Sequence, residues 1–166
     1  MLRTVEDDVG AYVARNMLRE RVRDFVREAF TRLAQRSDVT SIVVNAHSQG
    51  TVVAFDVLRS LPDEVVDRIA ALVTLGSPLR KYNLVLNWGP DTGQLARVRS
   101  WTNMWDPMDP VADPPSVTDI TVNNLGKVQS SGLRAHDYWG NVDDVLEPLS
   151  TLLRSVVTGE PDGVTP

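Results

Sequence analysis

The combination in this sequence with the clearest chemistry is a serine in a tight turn together with one distant histidine. Ser48 is the central residue of the pentapeptide Ala46-His47-Ser48-Gln49-Gly50. A serine hydroxyl is a poor nucleophile unless a nearby base takes its proton. The chain has only two histidines, and His47 is excluded as the base because adjacent residues of such a turn project in different directions. The sequence therefore predicts nucleophilic catalysis by Ser48 with His136 as its general base.

The segments on either side of Ser48 are those that an exposed nucleophile requires. Residues 41–46 form a short apolar run rich in β-branched residues, which predicts a strand buried on both faces. Residues 51–61 follow with the pattern of an amphipathic helix that ends at Pro62. A tight turn between a buried strand and a helix is the setting of a nucleophile elbow. The alternative is an ordinary turn in which Ser48 caps the helix.

The neighbours of Ser48 suit the same interpretation. Ala46 and Gly50 are small, as expected where a helix packs directly against the strand and the serine has a strained backbone. The backbone N–H of Gln49, at the start of the helix, is the predicted donor of one half of an oxyanion hole.

Strand-like and helical segments alternate along the chain, which predicts an α/β fold with a mostly parallel sheet and helices on both faces. We expect one domain over residues 1–158, made of an N-terminal helical segment (1–36) and a catalytic core (37–158), followed by a flexible tail (159–166). Beyond the elbow, the patterns predict strands at 70–75, 98–103 and 119–123, a loop at 79–94 and a closing amphipathic helix at 142–157.

Composition excludes several other classes of protein. The net charge of −5 and the pI near 5.0 argue against nucleic acid or an anionic membrane as a partner. The absence of cysteine and the presence of only two histidines disfavour metal sites, thiolate sites above all. Acidic residues near the N-terminus do not fit a signal peptide, and no apolar run approaches the ~20 residues of a membrane span. These features predict a soluble, cytoplasmic protein.

Several stretches between residues 38 and 157 resemble, in order and approximate spacing, the α/β-hydrolase superfamily in its bacterial lipase-like and esterase-like branch. The elbow departs by one residue from the pattern G-x-S-x-G, since Ala46 occupies the first position. The resemblance implies hydrolysis of an ester, or less often an amide or thioester, through a covalent acyl-enzyme without a cofactor. It rests on the elbow, on the run Leu72-Val73-Thr74-Leu75-Gly76-Ser77-Pro78-Leu79, on Trp101-Thr102-Asn103 leading to Asp109-Pro110-Val111, and on His136-Asp137-Tyr138-Trp139.

The resemblance also indicates where the acid of a catalytic triad should lie, because this family orders its triad as serine, acid, histidine. Asp106 and Asp109 both follow the third predicted strand. Asp109-Pro110-Val111 is similar to the stretch that carries the acid in many lipases of this fold, so Asp109 is preferred and Asp106 is the alternative. Asp113 ranks third. Turn formation explains the aspartates that are not the acid.

One departure from the family concerns the start of the fold. The usual fold places several strands before the elbow, and a loop there donates the second oxyanion N–H. Here only a helical pattern at residues 4–33 precedes the elbow strand. The chain is therefore expected to be either a fragment of a longer protein or a shortened member with an incomplete oxyanion hole. Loss of one oxyanion donor lowers the stabilisation of the transition state by about 3–4 kcal/mol. An exposed sheet edge would then favour self-association.

The predicted function is that of a serine hydrolase acting on a small-molecule or lipid ester. Apolar residues of the 79–94 loop, namely Tyr82, Leu84, Leu86 and Trp88, either line an acyl pocket or lid, or pack onto the core of the domain. Two other functions stay open. The chain could be a catalytically impaired interaction domain with the same fold, or an acyltransferase that uses the same triad and excludes water.

Overall fold

A computed structural model describes residues 10, 12, 16–86, 98–113, 118–128 and 134–159. Within these ranges the fold contains a sheet of four strands whose order across the sheet is their order along the chain. Every neighbouring pair is parallel, so the carboxyl ends of all four strands lie at one edge of the sheet. The strands are β1 (Ile42–His47), β2 (Ile69–Leu75), β3 (Trp101–Trp105) and β4 (Thr118–Thr121).

Helical segments connect and follow these strands. Two short helical turns, a 3₁₀ turn at Arg134–His136 and a π-helical turn at Val142–Leu146, precede the last helix. The last helix ends at Gly159, which has a left-handed backbone conformation. The helices are α1 (Asn16–Gln35), α2 (Gln49–Leu58), α3 (Asp63–Val66), α4 (Leu79–Leu86), α5 (Asn124–Lys127) and α6 (Glu147–Thr158).

The sheet is covered on both faces, because side chains of β2 alternate between two separate hydrophobic clusters. Leu72 packs with residues of α1, α2, α3 and α4, whereas Val73 and Leu75 pack with β3, Tyr138 and α6. Side chains that alternate along a strand point to opposite faces of the sheet. The predicted α/β class with a parallel sheet and helices on both faces is therefore confirmed.

The helix α1 is held to the helix after the elbow by a partly buried ion pair. Arg19 donates two hydrogen bonds of 2.8 and 2.9 Å to the carboxylate of Asp56, which is buried in α2. Tyr12 donates a third, of 3.1 Å, to the same carboxylate. Of the predicted helical segment 4–33, the structure describes residues 10 and 12 and then α1. The predicted tail beyond residue 159 also lies outside the described residues.

The prediction of a loop over residues 79–94 was wrong in its first half, because Leu79–Leu86 is a helix. The apolar residues Leu79, Tyr82 and Leu86 follow helical spacing, and all three pack onto the core. Asp113 accepts a hydrogen bond of 3.0 Å from the backbone N–H of Arg80 in the first turn of this helix. Tyr82 and Leu86 are therefore core residues. The side chain of Leu84, and Trp88 with residues 87–94, lie outside the described residues.

Two further observations concern the edge of the sheet and the length and hydropathy of the helices. Within the described ranges β1 is the end strand of the sheet, and self-association through that edge stays a prediction. Of the described helices, none is both long and apolar enough to span a bilayer.

Candidate active site

The turn between β1 and α2 places Ser48 at the carboxyl edge of the sheet in a strained conformation. Its φ is 54° and its ψ is −130°, and it is the only non-glycine residue with positive φ in the described ranges. Such a backbone costs about 1–3 kcal/mol and persists only where the surrounding structure holds it. Hydrogen bonds hold this backbone in place. The Ser48 N–H donates to the carbonyl of Leu75 at 2.9 Å, and the Ser48 carbonyl accepts from the backbone N–H and the hydroxyl of Thr51.

The side chain of Ser48 does not cap the helix that follows it. Its Oγ lies 2.9 Å from Nε2 of His136 instead. Ser48 occupies the N-cap position of α2, but the alternative interpretation, in which its side chain caps the helix, is wrong.

His136 joins Ser48 to Asp109. Its Nδ1 lies 2.7 Å from Oδ2 of Asp109. Since the carboxylate can only accept, Nδ1 carries the proton, and Nε2 of the neutral ring is left to accept the hydroxyl proton of Ser48. This tautomer is the one that a general base needs. The structure thus brings together the three residues that the sequence predicted as nucleophile, base and acid.

Asp109 is buried and accepts several hydrogen bonds within the protein. Its side chain has no exposed surface. Oδ1 accepts a hydrogen bond of 2.9 Å from the backbone N–H of Val111, and Oδ2 accepts one of 3.0 Å from the hydroxyl of Tyr138 in addition to that from His136. A buried carboxylate requires such partners, because burial without them is costly.

The two other candidate acids have structural partners. The carboxylate of Asp106 accepts backbone hydrogen bonds from Met108 and Asn124, both at 2.7 Å, and so fixes the loop that carries Asp109. Asp113 binds the first turn of α4 and lies 3.8 Å from Lys81 Nζ. Burial raises the pKa of the Asp113 carboxyl. The choice of Asp109 over Asp106 is therefore supported by the geometry, and its catalytic role stays a prediction.

His47 supports the base from the elbow itself. Its Nε2 donates to the backbone carbonyl of His136 at 3.1 Å, and the two rings lie 4.7 Å apart. Burial lowers the pKa of His47, and the charge that His136 would carry lowers it further. A neutral His47 can hold the His136 segment without placing a second cation beside the base.

Three supporting residues were missed in the sequence because each acts through contacts between distant segments. Gly76, with φ of +57°, lies so close to the site that a Cβ there would be 2.6 Å from Tyr138 Cε2 and 3.0 Å from His136 Cε1. Asn124 donates to the carbonyl of Ala135 at 2.8 Å and accepts from Asn141 at 2.9 Å, and both amides are fully buried. Only three asparagines follow residue 120, namely Asn123, Asn124 and Asn141, so composition gave no signal for them.

Three other residues of the elbow, Gln49, Gly50 and Ala46, meet their predicted roles to different degrees. Gln49 begins α2 directly after Ser48, at the carboxyl edge of the sheet; this position fits its predicted oxyanion role, which stays a prediction. Gly50 is not required for close packing, since, apart from its chain neighbours and the backbone of its own helix, no atom of the described residues lies within 4 Å of a Cβ built there. Ala46 is buried, as expected.

The described residues contain no group of three or more His, Cys, Asp or Glu side chains placed to hold a metal ion. Comparison with protein-family models, with curated proteins and with solved structures found no match for this chain.

Proposed function

We propose that this protein is a serine hydrolase that cleaves esters, with an α/β-hydrolase-like fold and a Ser48–His136–Asp109 triad. The observation that carries the proposal is the continuous chain of hydrogen bonds from Ser48 Oγ through both nitrogens of His136 to a buried carboxylate. The position of Ser48 on a strained turn between a strand and a helix also supports the proposal, because that backbone exposes the Ser48 hydroxyl at the edge of the sheet.

In this proposal, Nε2 of His136 takes the proton of Ser48 Oγ as Oγ attacks the ester carbonyl carbon. A C–O bond forms, and the carbonyl electron pair moves onto oxygen, where the N–H of Gln49 would donate a hydrogen bond. His136 then gives its proton to the departing alcohol oxygen, which leaves an acyl-Ser48. Water attacks this acyl-enzyme by the same proton route, releasing the acid. Asp109 stabilises the imidazolium in both halves without becoming protonated.

The surroundings of the site favour an uncharged ester with an apolar part. Trp139, which follows His136, is 45% exposed, and its ring lies 6.3 Å from that of His47. Met108, which precedes Asp109, is 68% exposed. Two large apolar side chains kept in solvent on the loops that carry the base and the acid suit contact with a hydrophobic group.

The test is labelling with a fluorophosphonate, which phosphonylates activated serines, followed by peptide mass spectrometry. We expect an adduct on Ser48 in the wild-type chain and none in Ser48→Ala. His136→Ala, which keeps the nucleophile and removes the base, should label at least a hundredfold more slowly, since general base catalysis contributes about 10²–10⁴-fold. A folded wild-type protein that gives no adduct would refute the proposal and favour a binding role.

A further inference from the structure

Tyr138 is a buried residue whose hydroxyl connects Asp106 and Asp109 in the loop after β3. The hydroxyl donates to Oδ2 of Asp109 at 3.0 Å and accepts from the backbone N–H of Asp106 at 2.9 Å. Its side chain is among the largest that are fully buried. Burial raises the pKa of Tyr138 strongly, and the charge of Asp109 raises it further, so the phenol remains protonated and remains a donor.

The oxygen that Tyr138 binds is the one that binds His136. Oδ2 of Asp109 accepts from both, at 3.0 and 2.7 Å. A hydrogen-bond donor stabilises the negative charge of a carboxylate. The same oxygen then attracts a second donor less strongly. The Tyr138 hydroxyl therefore acts on two properties of the acid at once: the direction in which Oδ2 points and the strength with which it attracts a protonated His136.

We propose that Tyr138 is a positioning residue that sets the basicity of His136 through Oδ2 of Asp109. The inference builds on the proposed function, in which His136 is the base. Among the described residues, the titratable side chains in contact with the His136 ring are those of Asp109, His47 and Tyr138, and the charge of the adjacent Asp137 acts on the neighbouring His47. Loss of the tyrosine hydroxyl leaves Asp109 with one donor fewer, so the carboxylate should attract the imidazolium more strongly and hold the ring less precisely.

The chain offers a matched control for removal of a tyrosine hydroxyl. Tyr82 in α4 is also buried, and within the described residues its hydroxyl has no hydrogen-bond partner. Tyr82→Phe and Tyr138→Phe thus delete the same atom from two buried sites, of which only one touches Asp109.

The experiment follows the imidazole nitrogens of His136 by NMR as a function of pH, a measurement that requires no turnover. Because the chain has two histidines, a His47→Gln variant identifies the His136 signals. In Tyr138→Phe the midpoint of the His136 titration should move upward by about half a unit to one unit, part of the one to two units that a hydrogen bond to a charged group represents. Tyr82→Phe should leave the midpoint unchanged.

Fluorophosphonate labelling as a function of pH supplies the second readout. In Tyr138→Phe the acid limb of the labelling profile should move upward with the NMR midpoint, and the plateau rate should fall about threefold to thirtyfold. A folded Tyr138→Phe with an unchanged or lower His136 midpoint would overturn the inference. An upward midpoint in a chain whose wild type fails to label would uphold the role of Tyr138 and refute the proposed function.

The loss of the acceptor for the buried Asp106 N–H could prevent Tyr138→Phe from folding. The second variant therefore keeps the hydroxyl and strengthens it as a donor: 3-fluorotyrosine placed at position 138. Its more acidic phenol should move the His136 midpoint downward, and a midpoint that stays in place or rises would contradict the inference.

Discussion

Replacement of Asp109 by asparagine is the most direct test of how the site is arranged. The change keeps the size of the side chain and removes its charge. In the structure, Asp109 Oδ2 lies 2.7 Å from His136 Nδ1, inside the protein and without exposed surface. In the proposed mechanism the charge of Asp109 matters most in the transition state, where His136 would carry the proton taken from Ser48.

The magnitude follows from that separation. Two unit charges 2.7 Å apart interact by about 6 kcal/mol at an effective dielectric constant of about 20. At ~1.4 kcal/mol per factor of ten, complete loss of this attraction would slow the reaction about 10⁴-fold. The same change at the acid of a serine protease triad, partly through a wrong tautomer, also costs about 10⁴.

The assay is hydrolysis of p-nitrophenyl butyrate, an activated ester, with kcat/KM measured for Asp109→Asn and for Asp106→Asn. Asp106 lies three residues earlier and accepts hydrogen bonds from two backbone N–H groups. Its replacement should lower the free energy of unfolding by about 1–3 kcal/mol. In folded protein it should reduce kcat/KM by less than about tenfold, because the charge of Asp109 beside His136 is kept. A folded Asp109→Asn within tenfold of wild type, or a larger loss in Asp106→Asn, would show that the acid was assigned wrongly.

Two further changes test the packing and the charge around the triad. Gly76→Ala should lower the free energy of unfolding by about 2–4 kcal/mol in urea titrations, because Ala is disfavoured at a φ of +57° and its Cβ would lie 2.6 Å from Tyr138. Gly50→Ala, where the described residues leave open space, should instead be neutral or stabilise by up to about 1 kcal/mol; equal losses at the two glycines would contradict the packing described here. The pKa of His47 is lowered from 6.5 in the folded protein by burial and then by His136, so the unfolded chain binds more protons below pH 6.5 and stability falls as the pH drops through that value. Urea unfolding of His47→Gln, which keeps a donor and cannot titrate, should show a smaller loss of stability between pH 7 and 5 than the wild type, and identical pH dependence would contradict the cause given for the shift.

Local pattern was sufficient to predict the two elements on either side of Ser48. The β-branched run before Ser48 and the apolar spacing after it placed β1 and α2 within two or three residues of their observed bounds. The third strand was placed two to three residues too early, because Thr102 and Asn103 interrupt the apolar residues of Trp101–Trp105 and leave no continuous apolar run. The helix Leu79–Leu86 was missed because its polar residues obscured a helical spacing of apolar positions.

The site was predictable to the extent that chemistry left few choices. With two histidines in the chain and one of them beside the serine, the base followed by elimination. Nothing local distinguishes Tyr138 from any other aromatic residue near a loop, because its role depends on two carboxyl-bearing residues about 30 positions away. The same holds for Gly76, whose neighbours in space come from the loop of Asp109 and from the segment of His136.

The distance along the chain between the two reacting partners has a consequence for how the protein is made. Ser48 and His136 are 88 residues apart, and Asp109 lies 27 residues before His136. Since ribosomes add about 5–20 residues per second, the serine is synthesised roughly 4–18 seconds before its base. During that interval Ser48 is an ordinary hydroxyl on an unfinished polypeptide. Under the proposed function the nascent chain would acquire its reactivity only when β3, β4 and the His136 segment have been made, so a truncated translation product would carry the serine without its activation.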